Sequence, residues 1–339
     1  MSTQQLQQLE DGIVEDHDAS SDAEIAGQSP LRIAWRRLRR DPVAMISLIV
    51  VALFVLLALF APLIAKSVGV TLDTPATCEV LECNATSGNY GLPLAGPPAH
   101  GFDADHPFGI APKTGEDNLA HWLYGARNSL MIAFLAAAIS TLIGITLGLI
   151  AGYAGGLVDR AINFVTDLFL SLPFLLAALC LSPILTDHFL TDPKGLAKAQ
   201  FWGLVVILSV FGWMYLARLI RGEVLSLRER EYVEAARQIG QPPWKILVRE
   251  LLPNLVAPIV VAFSLGLPAY VTAEAGLSYL GIGLSGQPSW GQTINNATNY
   301  YKQYPLYLWE PVLGIAILVI ALNLLGDAIR DALDPKTRR

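Results

Sequence analysis

Charge is what this 339-residue sequence has least of. Asp, Glu, Lys and Arg together make 15% of it, whereas soluble domains of this size carry about 25%. Hydrophobic residues make 53% and the mean hydropathy is +0.46. The deficit sits in long uninterrupted apolar runs, so the chain reads as an integral membrane protein. No phosphate-binding loop of the Gly-x-x-x-x-Gly-Lys-Ser/Thr type occurs, so ATP would have to bind another polypeptide. The five histidines (His17, His100, His106, His121, His188) are scattered through tail and outer loops. With no nucleophile–base arrangement either, neither a metal site nor a catalytic residue is expected.

Basic excess is missing too. The net charge of −6 comes largely from seven acids in the first thirty residues, a stretch without Lys or Arg. That stretch is expected to be a disordered tail, the remainder is nearly neutral, and no nucleic-acid partner is implied. Of only three cysteines, Cys180 lies in an apolar run and is expected to pack there. Cys78 and Cys83 share a polar loop that supplies too few ligands for a metal. They form either a small disulfide, which requires the loop to lie outside the cytoplasm, or two free thiols.

What is present is a series of six apolar spans. Val43 to Ala65 is free of charge and follows the basic patch Arg32, Arg36, Arg37, Arg39 and Arg40. Its core is too long for a cleaved signal peptide, which has about 7–15 apolar residues. The other spans are expected at 129–151, 161–184, 201–216, 255–271 and 309–325. Both termini are then inside. Seventeen Lys or Arg fall on the inner segments and six on the outer ones, the asymmetry that orients membrane chains. The expected divisions are an acidic tail (1–30), a basic segment with the first span (31–65), an outer loop (66–122), a core (123–328) and an inner C-terminal tail (329–339). The core contains the inner loop 221–254, within a polar stretch running from Arg218 to Asn254.

That polar stretch holds the most informative pattern. Arg230 to Ile239 favours a helix with Tyr232, Ala235, Ala236 and Ile239 on one face. Gly240 suits a left-handed cap, Pro242-Pro243 opens a second helix over Trp244 to Leu252, and Pro253 closes it. Such a hairpin is a rigid knob, with small Ala235 and Ala236 allowing close approach and Glu234 and Arg237 able to pair across an interface. The alternative is an amphipathic loop lying on the lipid surface.

The segment Glu234-Ala235-Ala236, three residues, Gly240, then Leu252-Pro253 resembles the EAA loop of ABC-type importer permeases. Further stretches are similar to the dipeptide/oligopeptide permease subfamily, specifically its "C" subunit. They are His106-Pro107-Phe108-Gly109, Leu123 to Leu130, Gly152 to Gly156 with Asp159-Arg160, Leu277 to Gly283, Pro288 to Gly291 and Asn323 to Pro335. The resemblance implies an all-α integral membrane fold with six transmembrane helices, like a type I ABC importer permease, in a prokaryotic inner membrane. It implies that Glu234, Ala235, Ala236, Arg237, Gly240, Leu252 and Pro253 couple the chain to an ATP-binding subunit. It also implies as partners a homologous permease subunit in a heterodimer, two ATP-binding subunits carrying ATP and Mg, an extracytoplasmic binding protein and membrane lipid, with no cofactor on this chain. The implied cargo is di- or oligopeptides, with nickel, glutathione or another small solute as alternatives. An ion-driven secondary transporter would need several midplane carboxylates and inverted repeats, and an intramembrane enzyme would need paired catalytic residues. Three features depart from the subfamily: Glu250 two residues before Leu252, Gly115-Glu116-Asp117 in place of Gly-Arg-Asp, and a longer outer loop from Pro62 to His106.

Two ionisable residues fall near or within spans. Asp167 is expected at an interface. Glu274 is expected at the outer end of the fifth span, facing a cavity or a subunit interface. Pro258 and Pro268 frame a short, irregular fifth span that is expected to line the pathway, with Glu274, Pro268 and Ser278 on the pathway or at a subunit interface. Aromatics in 300–309 read as an interfacial belt.

Overall fold

The computed structural model describes residues 35–334 apart from 73–77, 79, 85, 87–88, 98–100 and 190. The acidic tail 1–30 with His17, and likewise Arg32, His100 and 335–339, lie outside the described residues. Among the described residues the regular elements are helical, and five helical stretches are long and apolar enough to cross a membrane. A bent pair makes a sixth.

Helix α1 (Pro42–Leu59) starts where Asp41 accepts a hydrogen bond from Val43 N at 2.8 Å, with Pro42 in the first turn. It breaks at Phe60 and resumes as α2 (Ala61–Val68), which ends on Gly69 in a left-handed conformation. Helix α3 (Asn118–Ala154) has 37 residues, about 55 Å at ~1.5 Å per residue, so it overshoots a ~30 Å hydrocarbon core. Helices α4 (Gly156–Ser171) and α5 (Phe174–Thr186) meet at 91°. Pro173 causes the bend. It holds Leu172 extended, because the residue before a proline is pushed out of the helical region. The third span, 161–184, is therefore two half-helices rather than one.

Helices α6 (Pro193–Val210) and α7 (Met214–Leu227) form one span interrupted at Phe211-Gly212-Trp213. Its helix continues past Leu216 through Arg218 and Arg221, which belong to α7 rather than to a loop. Helix α8 (Glu231–Gln238) follows. The second arm of the hairpin is not a regular α-helix. One α turn (Pro243–Lys245) leads into a π segment (Ile246–Leu251) and a 3-10 segment (Leu252–Leu255).

Helix α9 (Val256–Leu277) corrects the expectation of a short fifth span. It is helical through Pro268, and the π segment Ser278–Ile282 extends it. Pro258 lies in its first turn, where a missing N–H costs nothing. Pro268 leaves the Ser264 carbonyl without its helical donor, and Gly326 of α11 (Pro305–Leu333) packs there. A Cβ on Gly326 would lie 3.3 Å from that oxygen. The short helix α10 (Trp290–Ala297), capped by Ser289, precedes α11.

The core is threaded by α3, which packs against α7, α9, α6 and α1. On one flank Phe54, Trp122 and Trp290 stack with ring centroids 5.5–6.0 Å apart. Trp290 Nε1 donates to the Trp122 carbonyl at 3.0 Å, and Trp122 Nε1 donates to that of Glu310 at 3.1 Å. This chain of bonds fixes α10, α3 and α11 together. Tyr304 and Tyr307 are buried against Ala111 and Ala297. Only part of the expected aromatic belt, Tyr301 and Trp309 among it, faces outward. Cys180 likewise is exposed rather than packed.

Candidate functional site: a hairpin fixed to the bundle and an uncharged cavity

The hairpin is built by its own caps. The Gly240 N–H donates to Arg237 O at 3.0 Å and the Gln241 N–H to Ala236 O at 3.1 Å, with Gly240 at φ 77°. This is a Schellman closure, and the left-handed position favours glycine. Its inward side is apolar and well anchored: Val233, Ala236, Ile246, Leu251 and Leu255 share a core with Leu149 of α3 and with Ile220 and Val224 of α7. Leu252 packs on the edge of that core, and Pro253 is exposed.

The four residues expected on one face of α8 divide between the bundle and the outside. Ala236 is buried, but Tyr232, Ala235 and Ile239 point away from the bundle with Glu234, and Ile239 is 74% exposed. Trp244 at 61% and Val248 at 53% extend this outward apolar surface onto the second arm. Arg237 lies over the Tyr153 ring, 4.9 Å from its centroid, at the end of α3. Polar bonds reinforce the anchorage. Asp159 of α4 accepts from Arg221 Nε at 2.5 Å and from Nη2 at 2.8 Å, and Arg228 Nη1 donates to Gly152 O at 3.1 Å. Asp167 accepts from Arg218, so it is held by an ion pair rather than simply solvated.

A second feature lies at mid-bundle. A cavity of about 380 Å³ is walled by α3, α5, α6, α7 and α9, and by the break between α6 and α7. Among the described residues no Asp, Glu, Lys or Arg lines it; its polar groups are the hydroxyls of Ser140, Thr141, Tyr215 and Tyr270. Three irregularities of the chain meet there or nearby: the α4–α5 bend beside Phe174, the α6–α7 break at Gly212, and Pro268 two residues before Tyr270. Irregular backbone inside a membrane is tolerated against protein or water.

Pro268, Glu274 and Ser278 do not line that cavity. Glu274 is 0% exposed, inside the chain's own core. Its Oε1 accepts from Ser278 Oγ at 2.8 Å, and Ser129 of α3 lies beside it. Its expected place at a cavity wall or subunit interface is thus corrected to an internal polar contact between α3 and α9. Glu274 lies three residues from the end of α9, in a helix that runs further than its hydropathy suggested.

Residues 144–339 match the family described as binding-protein-dependent transport system inner membrane component. The chain belongs to that family. Residues 29–74 match a second family, the N-terminal transmembrane domain of oligopeptide transport permease C. Among curated relatives, a dipeptide transport system permease protein of Alkalihalophilus pseudofirmus is 33% identical over 91% of each chain. An oligopeptide transport system permease protein of Bacillus subtilis is 32% identical over 94% of this chain and 95% of its own. A glutathione transport system permease protein of Pectobacterium atrosepticum is 34% identical over 92% of this chain and 93% of its own. A solved structure of the MetNI methionine ABC transporter, in an inward-facing conformation, aligns at 22% identity with a TM-score of 0.48, covering 62% of this chain and 94% of that one.

In this inner membrane component, several structural residues carried no signal that sequence reasoning used. Gly144, Gly148 and Gly152 repeat every four residues along α3, and α7 lies directly on them. A Cβ on Gly148 would stand 2.7 Å from Ala217 O, and one on Gly152 2.7 Å from Val224 Cβ. The four-residue spacing of small residues is the readable sign of such an approach. At the other end of α3, the Gly115-Glu116-Asp117 departure has a structural meaning. Asp117 Oδ1 caps the helix by accepting from Ala120 N at 2.9 Å, and its Oδ2 meets His106 Nδ1 at 2.7 Å. Glu116 faces His121 Nε2 at 3.4 Å. That hydrogen bond outweighs burial and holds the Glu116 carboxyl below its ordinary range. Cys78 and Cys83 are joined in a disulfide.

Proposed function

We propose that this chain is a membrane-spanning permease subunit of an ATP-driven, binding-protein-dependent importer of di- and oligopeptides. It is a transport subunit rather than an enzyme. ATP and Mg act on two partner ATP-binding subunits, a homologous permease completes the pathway, and an extracytoplasmic binding protein delivers the peptide to the outer face. The observation that carries the reading is the hairpin's two-sidedness. One face is cored into α3 and α7, while Tyr232, Ala235, Ile239, Trp244 and Val248 form an outward apolar surface next to Glu234. An apolar patch rimmed by charge marks a docking surface. A knob fixed to two helices transmits displacement instead of absorbing it. For a partner to drive transport, its contacts with the knob must differ between two states of the transporter.

The cavity wall supports the cargo assignment. A wall that presents hydroxyls and aromatic rings without charge accepts peptides irrespective of side-chain charge, which leaves selectivity to the binding protein. The names of the relatives in Alkalihalophilus and Bacillus agree with peptide cargo. In this reading the hairpin side is cytoplasmic and the disulfide loop lies outside. The excess of basic residues on the inner segments and the persistence of disulfides in oxidising compartments support that orientation.

The test uses the complete transporter with its partners in proteoliposomes. Glu234→Lys and Gly240→Val are expected to leave insertion and assembly intact while lowering peptide uptake roughly tenfold at sustained ATP hydrolysis. Normal uptake by both variants would remove the coupling role.

A further inference from the structure

At the hairpin's end of the bundle, α1, α9 and α11 come together around an apolar groove of about 270 Å³. Its walls include Trp35 and Leu38, Leu48 of α1, Val260 of α9, and Leu325 and Ile329 of α11, and among the described residues its lining is wholly apolar. Along α11 the lining recurs every four residues from Leu325 to Leu333, about 12 Å at ~1.5 Å per residue. Asp327 and Asp331 stand two residues off that row, on the opposite face of α11. The rim, by contrast, is basic. Residues 35–40 form a closed turn ahead of α1, in which the Arg39 N–H donates to Trp35 O at 3.1 Å and the Arg40 N–H to Arg37 O at 2.9 Å. Leu38 is buried against Ala44 and Ala332, which pins the turn to α1 and α11. Arg36, Arg39 and Arg40 of that turn are exposed. The Arg39 guanidinium lies 4.8 Å from the centroid of the Trp35 ring, so a positive charge stands on the groove wall itself. Among the described residues none of these three arginines forms an ion pair. The next acid along the chain, Asp41, is engaged as the cap of α1.

We propose that this groove binds one anionic phospholipid, its phosphate on Arg36, Arg39 and Arg40 and one acyl chain along Leu48, Val260 and Leu325. The walls belong to helices long and apolar enough to cross a membrane, so lipid is the solvent at the depth of the groove. The rim lies where α1 begins, and a tryptophan among arginines is the composition of a membrane–water interface. The two parts of the site act differently. Acyl chains are as apolar as the leucines they touch, so the groove selects a shape and not a headgroup. The arginines choose the headgroup: a lipid with net negative charge satisfies them, whereas a zwitterionic one brings its own cation. Guanidinium forks also match phosphate oxygens. The acidic segment before Arg32 has charge of the right sign but no long apolar run to enter the groove, which favours the lipid as occupant. The site requires only that the chain span a membrane; it does not depend on the cargo or on coupling to ATP.

The experiment titrates the complete, delipidated transporter in detergent with phosphatidylglycerol or phosphatidylcholine and counts bound lipids by native mass spectrometry. An arginine near an anionic lipid contributes about fivefold in affinity. The tightest phosphatidylglycerol is therefore expected to bind about a hundredfold more strongly than phosphatidylcholine. Arg39→Gln should cost about fivefold. Arg36→Gln, Arg39→Gln and Arg40→Gln together should abolish the preference, while Arg32 and Arg37 remain to keep basic residues ahead of α1. Leu48→Trp fills the groove from a position outside the buried core clusters and leaves the arginines in place. It should weaken phosphatidylglycerol binding about tenfold. Equal affinities for the two lipids in the wild type, or a preference that survives the triple variant, would overturn the proposal. So would unchanged binding in Leu48→Trp, which would mean that surface charge alone holds the lipid. If the triple variant fails to assemble, Arg39→Gln and Leu48→Trp carry the same outcomes. Phosphatidylglycerol that binds only after deletion of residues 2–24 would make the acidic segment the occupant and reject the lipid.

Discussion

The two halves of α3 hold their neighbours by different means. The inner half has surrendered side chains: Gly144, Gly148 and Gly152 let α7 come so close that the spaces for their missing Cβ atoms lie against backbone and β-carbons. The outer half adds large side chains to its small ones: Trp122 and Trp290 lie 5.5 Å apart, each hydrogen-bonded to a carbonyl of a neighbouring element. A backbone contact has no rotamer to change, so it is rigid or it fails. A side-chain contact can rearrange by turning a ring. The hairpin is joined to the first kind.

The most severe way to break this contrast is to give the inner half a side chain. Gly148→Leu places a Cβ 2.7 Å from Ala217 O and 2.8 Å from Ile220 Cβ, and neither a carbonyl nor a β-carbon can step aside. The expected penalty is about 3 kcal/mol or loss of assembly, read as the thermal midpoint of the purified complex. Gly222→Ala, with nothing nearby, should leave the midpoint unchanged. Next in size is the ion pair that ties α7 to α4. Arg221→Gln strips the half-buried Asp159 carboxylate of both its guanidinium bonds. About 1–2 kcal/mol should be lost, and most of it recovered by Asp159→Asn in the same chain, because the stranded charge is then gone.

The same contrast explains what the sequence disclosed. Alternation of long apolar runs with basic loops was enough for an all-helical membrane chain, and the Ala-Ala–Gly240–Pro-Pro order was enough for a capped hairpin. The hairpin's facing was not legible. Val233 and Ala236 turn inward, because which face of an eight-residue helix is buried depends on where Leu149 and Ile220 stand. The fifth span was underestimated for a related reason. Pro268 and Glu274 look like helix ends only until Gly326 packs at the freed Ser264 carbonyl and Ser278 bonds the carboxylate. The 91° bend could have been read from Pro173, whereas the close approach of Tyr270 to Gly212 could not, since the two stand some sixty residues apart.

The smallest expected effect sharpens the outer side of the comparison. Glu116 and His121 bridge the loop before α3 to its first turn, and the hydrogen bond from His121 keeps the Glu116 carboxyl ionised to lower pH than usual. A carboxyl whose folded-state pKa is depressed adds stability above the unfolded value, about 4.3, and loses that contribution as pH falls through the folded value. Glu116→Gln should therefore lower the thermal midpoint slightly at pH 7, by the equivalent of about 0.5 kcal/mol, since the pair is partly exposed. The gap between wild type and variant should hold down to about pH 5 and shrink below pH 4.3. A gap that stayed constant to pH 3.5 would mean that the glutamine disturbs packing rather than charge.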